Sequence, residues 1–87
     1  MVETRWMVAY DIANPKRLYR VAKALTAVGA RKQWSVFECW LTPWAFAQLQ
    51  RQLRALIDAA EDSVRFYPLT GAGRNPPAPH AAGYFIV

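Results

Sequence analysis

The chain has 87 residues, a formal net charge of +5, and a composition that is 54% hydrophobic and 20% charged. Such a sequence is too apolar to be a disordered protein, and its positive charge favours a polyanionic partner such as a nucleic acid. Cys39 and His80 are the only cysteine and histidine, so an internal disulfide and a structural zinc site are excluded. A Cys-His nucleophilic pair is not supported either, because Cys39 falls inside a predicted strand and His80 in a predicted loop whose position nothing in the sequence fixes.

The length and the pattern of apolar residues predict one small domain over residues 1–87, with its core at 5–69. No run approaches the roughly 18 apolar residues that a membrane-spanning helix needs, and the first residues lack the pattern of a signal peptide. We therefore expect a cytoplasmic protein that does not associate with membranes.

Alternation and capping signals predict the first two elements. Apolar residues alternate over residues 5–12, which indicates a strand. Asn14 and Pro15 then predict a helix start. The Asn side chain can accept hydrogen bonds from the free N–H groups of the first turn, and Pro is tolerated there because the N–H at this position has no intrahelical partner. The apolar spacing that follows predicts a helix over about 15–28, with Gly29 as its left-handed C-terminal cap.

A second strand is predicted over residues 31–41. Both of its alternating sets of side chains are largely apolar, so we expect this strand to be buried on both faces. Thr42 and Pro43 repeat the helix-start signal, and apolar spacing predicts a second helix over about 43–60. Alternation resumes over residues 62–69, which predicts a third strand.

The C-terminal part of the chain has no such period. Gly, Pro and Ala over residues 70–83 predict a mobile loop, and the apolar residues 84–87 predict a short strand, added to this sheet or to a neighbour's. The order of elements is that of the ferredoxin-like β-α-β-β-α-β sandwich, an α+β fold. This fold has a four-stranded antiparallel sheet with two helices on one face, and we expect the other face to pack on a second copy in a homodimer.

One acid, Asp11, ends the first predicted strand, where an apolar run gives way to a basic segment. The carboxylate either terminates the strand and caps a turn ahead of Asn14, or it ligates Mg²⁺. Mg²⁺ takes as few as one or two protein carboxylates, so a lone Asp can serve, and a nearby two-fold axis would bring a second Asp11. The pattern alone leaves both interpretations open.

Basic residues cluster between Asp11 and Glu38, a stretch that contains no acid. Six of the eleven basic residues lie there: Lys16, Arg17, Arg20, Lys23, Arg31 and Lys32. They form either the solvated face of a helix or a phosphate-binding surface, and the lack of acids favours the second, because solvated faces usually mix signs. Such a surface binds phosphates without reading bases.

The aromatic residues fall mostly on the periodic apolar faces, which favours a place in the core or in an interface over a base-stacking role. The residues concerned are Trp34, Trp40, Trp44, Phe46, Phe66 and Tyr67. The sequence leaves two roles for Tyr10: it is an ordinary aromatic residue of the strand, or it orients a metal or a substrate.

Three segments carry a resemblance to a known family: Tyr-Asp-Ile at 10–12, the run Gly-Ala-Arg-Lys-Gln-Trp-Ser-Val-Phe-Glu-Cys at 29–39, and Asp-Ser-Val-Arg-Phe-Tyr-Pro-Leu at 62–69. Over residues 6–69 the chain resembles the CRISPR-associated protein 2 family. These small adaptation proteins are often described as endoribonucleases. The resemblance implies a ferredoxin-like homodimer that binds a divalent metal between its protomers.

The resemblance also implies roles for particular residues. Asp11 of each chain would bind the one Mg²⁺ of the dimer, with Tyr10 beside it as a second catalytic candidate. In the family, arginines of the first helix and the one after its Gly terminus contribute to nucleic-acid handling. The matching positions are Arg17 or Arg20, whose register stays open, and Arg31.

Ser35 and Phe37 lie on the family's Ser-Val-Phe segment, near the dimer and the site. Two functions are implied: a Mg²⁺-dependent endonuclease for RNA or DNA that works with the CRISPR integrase in spacer acquisition, or a non-catalytic bridge between DNA and that integrase. One carboxylate per chain without a general base is sparse for a nuclease and favours the bridge. A ligand-binding regulatory domain fits poorly, because no Gly-rich or polar pocket motif is present.

Overall fold

The computed structural model describes residues 2–69 and 84–85 of the chain. Its elements are β1 (Thr4–Asp11), α1 (Pro15–Thr26), β2 (Gly29–Gln33), β3 (Val36–Leu41), α2 (Pro43–Leu56), β4 (Ser63–Leu69) and β5 (Tyr84–Phe85). The mobile loop predicted at 70–83 lies outside the described residues, as do residues 86–87 of the predicted terminal strand.

The strands form one antiparallel sheet in the order β2-β3-β1-β4-β5. Central strand β1 pairs with β3 and β4, so that Trp6 lies opposite both Cys39 and Pro68. The first four strands have the ferredoxin-like order, and the predicted ferredoxin-like sandwich is confirmed. The short strand β5 pairs with β4 of its own chain, with Phe85 opposite Arg65.

The region predicted as one strand over 31–41 is a hairpin, and that prediction is wrong. The chain turns at Trp34 and Ser35, where Ser35 has a φ of 69° in the left-handed region. Two-residue hairpin turns need positive φ, which Gly or Asn usually supplies, and neither residue is present to signal this turn. The strand is also not buried on both faces, because Trp40 is 47% exposed.

Both helices begin where their capping signals predict. The side-chain oxygen of Asn14 accepts hydrogen bonds from the backbone N–H groups of Lys16 (2.9 Å) and Arg17 (3.0 Å). The hydroxyl of Thr42 accepts one from the backbone N–H of Ala45 at 3.1 Å. These contacts satisfy donors that the first helical turn leaves without intrahelical partners.

Both helices end earlier than predicted. Helix α1 stops at Thr26, its C-terminal cap is Ala27 in a right-handed conformation, and Gly29 instead begins β2. Helix α2 stops at Leu56 rather than near residue 60. The helices are 12 and 14 residues long, and no helix in the described part of the chain is long and apolar enough to cross a membrane.

The core lies between the helices and one face of the sheet. Trp6, Val8 and Tyr10 alternate along β1 toward the helices and pack in one cluster with Leu25 of α1 and Leu53 of α2. Because side chains alternate along a strand, the residues between them face the other side of the sheet. Asp11 therefore lies on the face that the helices leave open.

The aromatic residues divide between core and surface. Phe66 and Tyr67 are buried, and Phe46 packs against the core with its ring 4.2 Å from the Trp6 ring in a stacked arrangement. Three tryptophans are exposed in the single chain and so lie outside its core, while their predicted place in an interface stays a prediction: Trp34, Trp40 and Trp44. Apolar periodicity places a residue on a face, but it does not show whether that face is covered.

Gly29 is required because β2 approaches β3 closely. A Cβ at this position would lie 2.6 Å from the Cys39 sulfur and would also clash with the Glu38 carbonyl oxygen. We predict that Gly29→Ala lowers the free energy of unfolding by about 1–3 kcal/mol, measured by urea denaturation. The control Ala30→Ser alters an exposed neighbour on the same strand and should change it by less than about 0.5 kcal/mol. Equal stability of the two variants would contradict the close approach.

Candidate functional site

Asp11 is exposed at the last position of β1, opposite Ser63 of β4. A shallow depression of about 170 Å³ lies there, lined by Ala9, Tyr10, Asp11, Ser63 and Arg65. Strand pairing alone brings these residues together, since β1 and β4 run side by side to the same end of the sheet. The depression offers an acid, a hydroxyl and a cation at a solvent-accessible strand end.

Tyr10 precedes Asp11, but its ring lies on the other side of the sheet. The side chain is buried in the helix-facing core, with its ring 6.0 Å from that of Phe37. Its backbone N–H donates a hydrogen bond of 3.1 Å to the carbonyl oxygen of Ser35. Tyr10, Ser35 and Phe37 therefore fix the end of β1, and Asp11 is the residue that presents a side chain to solvent there.

Asp62 holds together the loops beside this strand end. Its carboxylate is fully buried and accepts hydrogen bonds from the Arg17 Nε at 2.8 Å and from the backbone N–H groups of Ala13 at 2.9 Å and Asp58 at 2.8 Å. We call these four residues the Asp62 network. It joins the β1–α1 loop, helix α1 and the α2–β4 loop. Hydrogen bonds through Asp62 therefore fix the backbone that follows Asp11 relative to helix α1 and the α2–β4 loop.

The charges in this network are strongly coupled. Hydrogen bonds from Arg17 and from the Asp58 and Ala13 amides together lower the pKa of Asp62 to about 2, with Arg17 the largest cause and burial opposing the change. Asp62 and, to a lesser extent, Glu61 raise the pKa of Arg17, and the Arg17 Nη2 lies 2.9 Å from a Glu61 oxygen. The predicted nucleic-acid residue Arg17 thus has two internal carboxylate partners.

Lys32 also has an internal partner. Its Nζ lies 3.3 Å from a carboxylate oxygen of Glu38, and the Arg5 guanidinium lies 2.5 Å from the other. Glu38 is buried on the sheet face opposite the helices. Burial raises its pKa, but hydrogen bonds and charge from Arg5 and Lys32 outweigh that effect and lower it overall. This ion-pair triad ties β1, β2 and β3 together.

The other predicted cations form what we call the basic surface: Lys16, Arg20, Lys23 and Arg31. All four are exposed, and within residues 2–69 none has a carboxylate within 4 Å. The Arg31 guanidinium lies over the rings of Trp34 (5.5 Å) and Phe37 (5.4 Å), which hold it in place. Of the two arginines whose register the sequence left open, Arg20 is the one that faces solvent.

The donor chemistry at Asp11 suits a hard cation. Its carboxylate and the hydroxyl of neighbouring Ser63 are oxygen ligands of the kind that Mg²⁺ prefers, and Mg²⁺ retains several waters when it binds. Across the described ranges, no three His, Cys, Asp or Glu residues are grouped so that they could hold a metal. In one chain the strand end therefore offers a cation the Asp11 carboxylate and the Ser63 hydroxyl, and any further ligands would come from water or from another molecule.

The chain was also compared with models of known protein families. A family model described as CRISPR associated protein Cas2 matches residues 4–75. The chain belongs to this family. A Synechocystis relative named CRISPR-associated endoribonuclease Cas2 3 is 46% identical over 66 residues, covering 76% of this chain and 72% of the relative. A Thermus thermophilus relative named CRISPR-associated endonuclease Cas2 2 is 41% identical over 66 residues, covering 76% and 73%.

Two solved structures have the same fold as this chain. Streptococcus pyogenes Cas2, solved at pH 6.5, is 42% identical with a TM-score of 0.72, and the match covers 79% of this chain and 88% of that one. A hypothetical protein from Thermus thermophilus is 36% identical with a TM-score of 0.78, covering 88% and 98%. The family resemblance inferred from three sequence segments is thus confirmed.

The Asp62 network predicts a specific pH dependence of stability. Because the pKa of Asp62 falls from 3.8 to about 2 on folding, its contribution is complete above about pH 5 and is lost as pH falls toward 2. We expect Asp62→Asn to lower the free energy of unfolding by about 2 kcal/mol at pH 7, with the difference from the unmodified protein falling below about 0.5 kcal/mol near pH 2.

Urea denaturation at several pH values measures both quantities. Glu61→Gln is the matched control, because Glu61 contacts the same arginine from an exposed position and should contribute less than about 0.5 kcal/mol. A constant difference between the unmodified protein and Asp62→Asn from pH 7 to pH 2 would contradict this role of the carboxylate.

Proposed function

We propose that the chain is a homodimeric, Mg²⁺-dependent endonuclease that cleaves phosphodiester bonds of RNA or DNA and acts in the cytoplasm with the CRISPR integrase in spacer acquisition. The observation that carries this proposal is the exposed Asp11 carboxylate at the end of the central strand, beside the loop that the Asp62 network holds. Relatives named endoribonuclease and endonuclease support the same reaction class.

Asp11 and its copy in a second chain would hold the Mg²⁺. When bound, Mg²⁺ supplies an activated water and polarises the phosphate that is attacked. The chain itself orients the carboxylate through β1 pairing and binds the phosphates of the substrate on the basic surface. The side chain of Tyr10 is a positioning group in this proposal, because its buried ring supports the strand end from the opposite face.

The open face of the sheet supports the homodimer. It carries half-exposed Trp40 beside the ion pair between partly exposed Arg5 and buried Glu38. A large aromatic side chain next to satisfied charges is typical of a surface that another polypeptide covers. A second copy on this face gains apolar burial and adds a second carboxylate to the first.

A non-catalytic bridge is the second candidate, and one observation favours it. The side chains that share the Asp11 depression include a hydroxyl and a guanidinium, and neither is an effective general base near neutral pH. The basic surface is sufficient by itself to bind a nucleic-acid backbone. In this role Asp11 shapes the strand end, and the chain links a DNA duplex to the integrase.

The variant Asp11→Asn separates these candidates. If Asp11 holds a catalytic metal, the charge loss should reduce Mg²⁺-dependent cleavage of RNA and DNA by at least about a hundredfold. Cleavage is measured on end-labelled oligonucleotides with and without EDTA. The control Glu3→Gln removes an exposed acid near the other end of β1 and should leave cleavage unchanged.

Cleavage that is equal in the unmodified protein and Asp11→Asn would contradict the metal role. Loss of cleavage together with intact duplex binding and intact integration by the integrase would make bridging the working function. Calorimetric titration of the unmodified protein with Mg²⁺ should show one bound ion per dimer.

The basic surface predicts a salt dependence of nucleic-acid binding. Each phosphate contact contributes a slope of about 0.7–0.9 to the plot of log affinity against log salt. We expect Arg20→Ala to reduce the slope for a DNA duplex by about one unit, measured by fluorescence anisotropy. Arg51→Ala removes an exposed arginine of α2 and is the control, for which the slope should stay constant. Equal salt slopes for Arg20→Ala and Arg51→Ala would contradict the claim that Arg20 contacts a phosphate of the duplex.

A further inference from the structure

A groove lies between α1 and β2 and shares no lining residue with the Asp11 depression. Its volume is about 520 Å³, within the usual range of small-ligand sites. We call it the α1–β2 groove, and its lining consists of Tyr19, Ala22, Lys23, Thr26, Ala27 and Arg31. Two cations therefore flank a lining that is otherwise built from small and aromatic side chains.

Tyr19 is an unusual residue for a solvent-facing helix position. It is 67% exposed, although a large aromatic side chain gains from burial. Its neighbours along the exposed side of α1 are basic, and it lines a second depression together with Lys16, Arg20 and Lys23. An exposed aromatic ring among cations without acids is the combination that single-stranded nucleic-acid sites use, with bases on the ring and phosphates on the cations.

Two side chains of the groove, Thr26 and Arg31, already make contacts within the chain. The Thr26 hydroxyl donates a hydrogen bond of 2.8 Å to the Ala22 carbonyl oxygen, so its proton is already used within the helix. Arg31 is held over the rings of Trp34 and Phe37, which reduces the side-chain entropy that phosphate binding would cost. The lining thus combines small side chains and one aromatic ring with a cation that lies over two further rings.

We propose that the α1–β2 groove binds an unpaired nucleotide of a single-stranded nucleic acid, with its base stacked on Tyr19 and its flanking phosphates on Lys23 and Arg31. This inference rests on the proposed function in that the substrate is a nucleic acid. A duplex keeps its bases stacked inside, so it contacts the cations but leaves Tyr19 without a base. The groove therefore gives the basic surface a preference for unpaired segments.

The test compares a pentauridine oligomer with an abasic oligomer of the same length, which retains the phosphates but has no bases to stack. Anisotropy is measured in EDTA with the Asp11→Asn protein, so that cleavage does not occur. We expect this protein to bind the base-containing oligomer about tenfold more tightly than the abasic one. Adding Tyr19→Ala should weaken binding of pentauridine about tenfold and leave abasic binding unchanged, whereas Tyr19→Phe should keep the preference.

Trp44→Ala is the matched control, because Trp44 is 68% exposed but lies at the start of α2 and outside the groove. It should not alter either affinity, and thermal denaturation checks that every variant is folded. Binding of a pentathymidine oligomer is measured in the same way to compare deoxyribose with ribose. Tighter binding of the base-containing oligomer than of the abasic one, with either sugar, supports the proposal.

Equal binding of base-containing and abasic oligomers, or an equal loss for both in Tyr19→Ala, would overturn the stacking site. Such a result leaves Asp11-dependent cleavage and the salt slope of Arg20 untouched, so it is distinct from a failure of the proposed function. Conversely, a protein without cleavage can still show the base preference.

Discussion

The buried carboxylate of Asp62 is the constraint on which the strand end at Asp11 depends. It receives the Arg17 guanidinium and the backbone amides of Ala13 and Asp58, so one side chain fixes two loops and the first turns of α1. A buried charge is costly unless it is fully hydrogen-bonded, and here its oxygens are occupied by three donors. Its low pKa follows from the same contacts. The backbone that follows Asp11 is thereby fixed by hydrogen bonds to other parts of the chain, which is the support that the proposed metal ligand would need.

The alternation of β1 separates structural and chemical roles on the two faces of one strand. Tyr10 packs in the helix-facing core against Phe37, while Asp11 points away from the helices. Neighbours in sequence thus serve different purposes, since a strand turns successive side chains to opposite sides. The same rule places Glu38 on the open face, where Arg5 and Lys32 neutralise it. That face combines satisfied charges with exposed aromatic surface.

The cations of the chain form two groups that composition cannot distinguish. Arg17 and Lys32 are bound to internal carboxylates and stabilise the fold. The basic surface has no such partners among the described residues and is available to phosphates. Tyr19 lies beside these cations and lines the α1–β2 groove with Lys23 and Arg31, and this placement is the basis of the proposed nucleotide site. The proposed cleavage at Asp11 and the proposed nucleotide binding on α1 therefore depend on different residues and can be tested separately.

Local signals in the sequence determined the alternation of β1, the helix starts at Asn14 and Thr42, and the place of Asp11 at a strand end. These features depend on residues a few positions apart. The ferredoxin-like fold was predicted correctly, but with one strand where the structure has the β2–β3 hairpin. Tertiary structure decided the rest: Arg17 meets Asp62 across 45 residues, and no local period encodes that contact. The hairpin at Ser35 was hidden because apolar alternation continues through it. Whether a cation is paired or free depends on which distant acid folding brings beside it.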